Sequence, residues 1–191
     1  MAQAERNHVS YGEYLALERE SESKHEYLRG EVFAMAGGTP RHAALAAAII
    51  VTLSTALADG PCLVFTSDLR VRIEATDLST YPDVIVVCGP LETATDDPNA
   101  ALNPTLIVEV LSESTEAYDR GQKFSHYRQI PSLREYLLVS QHEPRLEAYA
   151  KNEAGRWELA EAGPGERLAL SSLTGVELDV DRVYRAVSSL A

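Results

Sequence analysis

Three side chains of this chain are of the right types and spacing to do chemistry together: Asp83, Glu109 and Lys123. Each acid sits at or within a run of apolar β-formers, Tyr81-Pro82-Asp83-Val84-Ile85-Val86-Val87 and Leu106-Ile107-Val108-Glu109-Val110-Leu111-Ser112. A carboxylate among Val and Ile is costly to bury unless something positive meets it. Two such acids on neighbouring strands make a small negative pocket. The cheapest partner for that pocket is a divalent cation, and hard oxygen donors suit Mg2+, with Mn2+ as a substitute. A cation held there can bind a phosphate oxygen, acidify water and stabilise a leaving oxygen. Lys123 supplies the third part, an amine that orients or deprotonates the water or offsets charge in the transition state. Asp119, Lys123 and Tyr127 follow one another at four-residue steps, which places them on one face of one helix. Asp119 or the strand acids can hold the amine in place.

The remaining elements must position these groups. Ser10 with Glu13 three residues on predicts a capped helix at the start, with Tyr14, Leu15 and Leu17 as its apolar side. Residues 24–36 read as a hairpin turning at Arg29-Gly30, flanked by Glu26 and Glu31. Both acids are either solvated strand ends or neighbours of the pocket. Gly37-Gly38-Thr39-Pro40 breaks the chain, and Thr39 and Pro40 start a helix from about Arg41 to Ala58. That helix is apolar nearly all round, so it should be covered on most sides. His42, in its first turn, either packs and caps or turns its ring to the site.

Residues 62–73 give two short strand pieces. Leu69, Val71 and Ile73 fall on one face and Arg70 and Arg72 on the other. The two arginines could meet phosphates or pair with the surplus acids. Residues 74–80 and 91–103 read as polar surface loops. Strands at 82–88 and 105–111 are apolar on both faces, as central strands are. A helix follows from about 112, weakened by Gly121 and ended by Ile130-Pro131. Strands at 135–140, 145–151 and 156–161, edge pieces at 168–170 and 176–178, and a closing helix through about Val187 complete the chain.

Composition narrows the class. At 191 residues, 45% hydrophobic and 24% charged, the chain fits one globular domain. The expected division is an arm and helix over 1–23, a core over 24–140 and a C-terminal hairpin and helix over 141–191. No apolar leader is expected, and the most apolar segment, Ala43 to Ala58, is short for a membrane span. A cytoplasmic protein without membrane association is therefore expected. Two cysteines, Cys62 and Cys88, are too few for a disulfide framework; both are expected reduced, with Cys88 as a small core residue. The net charge is -12, with 29 acids against 17 bases, which repels nucleic acid as a whole-molecule field. Binding to a polyanion would then need a local basic surface or bridging metal.

Tyr-Pro-Asp at 81–83, Val-Glu-Val-Leu-Ser at 108–112, Ser114-Thr115, Asp119, Lys123, Tyr127 and Arg134-Glu135-Tyr136-Leu137-Leu138-Val139 together resemble the Uma-two family, a branch of the PD-(D/E)xK nuclease superfamily. Glu26 to Glu31, Arg41-His42 and Ser67-Asp68-Leu69-Arg70-Val71 extend the likeness, which covers roughly 24–140. The resemblance implies a restriction-endonuclease-like α/β fold: a central mixed β-sheet flanked by helices, with the site at one end of the sheet and additional antiparallel strands. It implies Asp83 and Glu109 as metal ligands with the backbone carbonyl of Val110, and Mg2+-dependent cleavage of DNA phosphodiesters. The superfamily places Lys two residues after the second acid, where this chain has Leu111; Lys123 is the candidate for a relocated lysine. Glu31, in preference to Glu26, is taken as the upstream catalytic acid. His42, Asp68, Arg70 and Tyr127 are candidate substrate-binding residues. DNA is the expected partner, and a homodimer would place two sites for cutting both strands. A non-catalytic binding protein of the same fold and a phosphohydrolase of small esters are the alternatives.

Overall fold

The computed structural model describes residues 8–35, 37–185 and 187–190. The part of the expected N-terminal arm on residues 1–7 lies outside them. Helix α1 (Tyr11–Glu20) begins at Ser10, where the Ser10–Glu13 capping box forms in both directions. Strands β1 (His25–Leu28) and β2 (Glu31–Ala34) form the expected hairpin. Its two turn residues, Arg29 and Gly30, both have positive φ, 49° and 86°, as a two-residue hairpin turn demands. Helix α2 (Pro40–Ala56) starts with Thr39 as cap, its side chain accepting from the His42 N–H.

Three sheets follow from β3 (Cys62–Thr66), β4 (Arg70–Ile73), β5 (Leu78–Thr80), β6 (Val84–Cys88), β7 (Ala100–Ala101), β8 (Leu106–Val110), β9 (Glu135–Val139), β10 (Leu146–Lys151), β11 (Trp157–Ala162), β12 (Arg167–Ala169) and β13 (Glu177–Asp179). The main sheet has the order β11-β10-β9-β8-β6-β3, with β8 and β9 parallel and the other neighbours antiparallel. A second sheet runs β2-β1-β5-β4-β7, and β12 pairs with β13. Between β8 and β9 lies an interrupted helix: α3 (Glu116–Tyr118), a π-helical stretch Asp119–Lys123, and α4 (Phe124–Tyr127). Helix α5 (Val180–Arg185) closes the described fold.

The apolar runs of β6 and β8 have the predicted cause: both faces of the main sheet are buried. Val84, Val86, Val108 and Val110 point to α2 and α5. Ile85, Val87, Ile107 and Leu111 point to α4 and to Val71, Ile73 and Leu78 of the second sheet. Glu109 lies between Val108 and Val110, so strand alternation aims it at this second face.

Four expectations need correction. Helix α2 is less covered than its composition suggests: Leu45, Ile49 and Leu53 are buried, while Val51 is 61% exposed. Its apolar far side consists mostly of alanines, which cost little in water. The segment at 74–80 holds strand β5, fully buried, after a short 3-10 turn at Glu74–Thr76. The segment at 91–103 is tied into the second sheet through β7 and carries the buried Asp97. Cys62 and Cys88 are joined by a disulfide, because the β3–β6 register sets them directly opposite. Among the described residues, no helix is long and apolar enough to cross a membrane.

Candidate active site

The antiparallel register of β6 and β8 pairs Val84 with Val108, so one residue further on Asp83 meets Glu109. The two acids thus stand together at one end of the main sheet. Asp83 Oδ2 accepts the Val110 backbone N–H at 2.7 Å, which anchors the carboxylate to the neighbouring strand. Glu109 is almost wholly buried, and its Oε1 accepts from Tyr127 Oη at 2.7 Å and faces Lys123 Nζ at 2.8 Å. Both contacts use the same oxygen, which leaves Oε2 out of them.

Lys123 ends the π-helical stretch Asp119–Lys123. Such bulges widen one turn and recur at functional sites. Gly121 inside it eases the distortion, and the Tyr136 hydroxyl donates to the Asp119 carbonyl at 3.1 Å. The Lys123 ammonium then has three acids around it: Glu109 at 2.8 Å, Glu26 at 3.4 Å and Asp119 at 3.6 Å. Thr80 donates a short hydrogen bond to Glu26 Oε1. From the other side, His42 Nε2 stands 3.2 Å from Asp83 Oδ2.

The electrostatics follow from crowding. Burial pushes the Glu109 carboxyl up to about 8; Lys123 pulls it down, and Asp83 and Asp119 push it further up. Burial works against charge on Lys123, but Glu109, Glu26 and Asp119 more than offset it and hold the ammonium above its ordinary range. Asp119 is raised, first by burial. His42 is raised, first by its hydrogen bond to Asp83, with burial opposing. Four acids therefore share one lysine and one histidine, and further positive charge would be stabilised there.

Asp83, Glu109, Val110, His42, Asp119, Lys123 and Glu26 all line one cleft of about 1200 Å³. Four other predicted site residues do not line it. Glu31 begins β2. Asp68 is exposed and pairs with Lys24 at 2.7 Å. Tyr127 is fully buried beneath Glu109. Arg70 grips Asp97 with two hydrogen bonds of 2.8 and 2.7 Å and also donates to Tyr81 Oη. Arg72 likewise meets Asp77 at 2.5 Å and stacks on the Tyr11 ring at 4.0 Å. Both arginines thus take the acid-pairing alternative. Glu26, Thr80 and Tyr136 join the cluster through tertiary contacts alone. For Glu26 the sequence signals were its place beside the hairpin turn and in the segment that extends the family likeness, neither of which separated it from Glu31.

Leu111, at the superfamily's lysine position, is 1% exposed within the apolar core. A lysine there would have to bury its charge among Phe124, Tyr127 and Leu133. The donors at the cleft floor are carboxylates and a backbone carbonyl, which suit a hard divalent cation. Among the described residues no three His, Cys, Asp or Glu side chains form a ready cage. Mg2+ needs none, since one or two carboxylates hold it and waters complete its shell.

A mixed sheet with paired acids at one end and a lysine brought in from the following helix defines a restriction-endonuclease-like α/β protein. The same fold occurs in a crystal structure described as "a putative nuclease belonging to DUF820 from Anabaena variabilis", with a TM-score of 0.74 at 17% identity, over 92% of this chain and 97% of that one. The chain belongs to the Uma2 (Uma-two) family, described as "Putative restriction endonuclease", whose model matches residues 11–181. Two Synechocystis relatives are the uncharacterized proteins slr1290 and sll1609. The first is 39% identical over 94% of this chain and 93% of its own length; the second is 36% identical over 80% and 86%.

Proposed function

We propose that this protein is a divalent-metal-dependent nuclease that hydrolyses DNA phosphodiester bonds in the cleft at the ends of β6 and β8. The observation that carries the reading is the convergence of Asp83, Glu109 and Lys123, with Lys123 Nζ 2.8 Å from Glu109. Asp83, Glu109 and the Val110 carbonyl would hold Mg2+, or Mn2+ in its place. Bound there, the cation would act as a Lewis acid on the phosphate and offset charge on the leaving oxygen.

The chain's own groups divide the remaining work. Held as an ammonium, Lys123 has donors only, so it orients water or a phosphate oxygen and does not take a proton. Its charge also lies where negative charge grows in the transition state. Glu26 and Asp119 keep that ammonium in place. Tyr127 positions Glu109 by hydrogen bonding to its Oε1. The upstream acid of this reading is Glu26, the one that lines the cleft.

Supercoiled plasmid incubated with Mg2+ or Mn2+ tests the reading. Nicking or linearisation by the wild type, blocked by chelator and absent in Asp83→Asn, is the expected result. A second reading, a hydrolase of small phosphate esters, draws on the net charge of -12 and on the engagement of Arg70 and Arg72 by acids. Turnover of a small phosphodiester with intact plasmid would favour it.

A further inference from the structure

We propose that His42 Nε2 is itself a ligand of the divalent cation, and that this nitrogen biases the site toward Mn2+ over Mg2+. The proposal rests on the functional reading above, in which Asp83 holds the metal. It starts from how the chain delivers the ring. Thr39 caps α2 and takes the His42 N–H at 3.1 Å, so the cap does not need the imidazole. Gly38 lies against the ring: a Cβ at that position would come within 2.9 Å of His42 Nδ1. The ring is thereby seated with its other nitrogen turned to the cleft floor.

There Nε2 lies 3.2 Å from Asp83 Oδ2, with the two side chains 19% and 17% exposed. Val110 lines the same cleft beside them. Three segments thus converge: the start of α2 with an imidazole nitrogen, the residue just before β6 with a carboxylate, and the end of β8 with Val110. The seated ring thus faces an acid, not an apolar wall. Among the described residues, His42 is the only histidine that lines this cleft. Nε2 faces Asp83 Oδ2. With cation bound, the same nitrogen offers its lone pair.

The donor chemistry then sets a preference. Mg2+ favours an all-oxygen shell and releases water reluctantly. Mn2+ also favours carboxylate oxygen, but as a transition ion it gains more from an imidazole nitrogen than Mg2+ does. A nitrogen among oxygens therefore helps Mn2+ more than Mg2+.

The test uses the full chain with Mn2+ and Mg2+ alone, by calorimetric titration, together with pulsed electron paramagnetic resonance of bound Mn2+. The expected result is tighter binding of Mn2+ than Mg2+ and a 14N modulation from coordinated imidazole. Losing an outer-shell partner already costs about 10–100-fold in metal affinity. His42→Ala should therefore cost Mn2+ at least about tenfold, cost Mg2+ less, and abolish the nitrogen signal. His42→Gln, which keeps a polar arm of similar reach, should restore part of the binding but not the signal. It also guards against a folding defect in the alanine variant. Bound Mn2+ without nitrogen modulation, but lost in Asp83→Asn, would overturn the role of His42 and leave the metal site standing. Tighter binding in His42→Ala would make the ring a competitor of the cation and overturn the proposal. No binding by the wild type, even with a non-cleavable oligonucleotide present, would overturn this proposal and the metal reading together.

Discussion

Lys123 Nζ stands 2.8 Å from Glu109 Oε1 although the two residues belong to different elements, the lysine on a π-helical stretch and the acid on β8. The lysine enters from the helix after β8, while the strand position two residues beyond the acid is given to core-forming Leu111. One charge thus serves three carboxylates. Lys123→Ala should lower cleavage by about 10²–10³-fold, the cost of removing one donor aimed at developing negative charge. It should also destabilise the fold by about 3–5 kcal/mol, because acids buried around a lost cation are uncompensated. Rates under single-turnover conditions and urea unfolding separate the two effects. Cleavage at the wild-type rate by the folded variant would remove Lys123 from the chemistry.

Glu26 and Glu31 flank one turn but face different surroundings. Glu26 lies 3.4 Å from Lys123 Nζ and lines the cleft, whereas Glu31 does not line it. Glu26→Gln is expected to cut the cleavage rate by about tenfold or more, at the low end for a group that tunes a charged catalytic partner. Glu31→Gln should leave it within about twofold. Rates for both variants on one plasmid substrate decide which acid belongs to the site.

Tyr127 cannot touch substrate, being fully buried. Its hydroxyl supports Glu109 at 2.7 Å. Tyr127→Phe should cost about 1–3 kcal/mol of stability, as for a lost hydrogen bond to a buried acid. Because Glu109 would lose one of its two anchors, metal affinity should fall as well. Chemical unfolding and metal titration of the same variant give both quantities.

The partly buried Arg70 pairs with the buried Asp97 away from the cleft. Asp97→Ala leaves the guanidinium without its main partner and should cost about 3–5 kcal/mol, with cleavage per folded molecule unchanged. The pair also sets a pH dependence. Burial would raise the Asp97 carboxyl, but the Arg70 hydrogen bonds outweigh it and hold the carboxyl below its ordinary 3.8. A folded value below the unfolded one stabilises the protein above that unfolded value, and the contribution is lost as pH falls through the lower folded one. The stability gap between wild type and Asp97→Ala should therefore be full at neutral pH and shrink below about pH 4. Thermal melts across that range measure it.

Much of this protein was determined locally. Thr39 and Pro40 start α2, Ser10 and Glu13 start α1, and Arg29-Gly30 turns the hairpin, because caps and turns satisfy backbone groups within a few residues. The apolar runs around Asp83 and Glu109 announced central strands, because only a strand buried on both faces dispenses with alternation. The tertiary structure alone decided the rest. It set Cys62 against Cys88 through the β3–β6 register, and it bound Asp97 to Arg70 through a segment that composition marks as loop. It also admitted Glu26 to the cleft and turned His42 onto Asp83. The physical reason is the range of the forces involved: hydrogen-bond and burial periodicity are written along neighbouring residues. Which distant charges meet depends on strand register and on which helix face packs against the sheet, and those are settled only when the two faces of the sheet are packed.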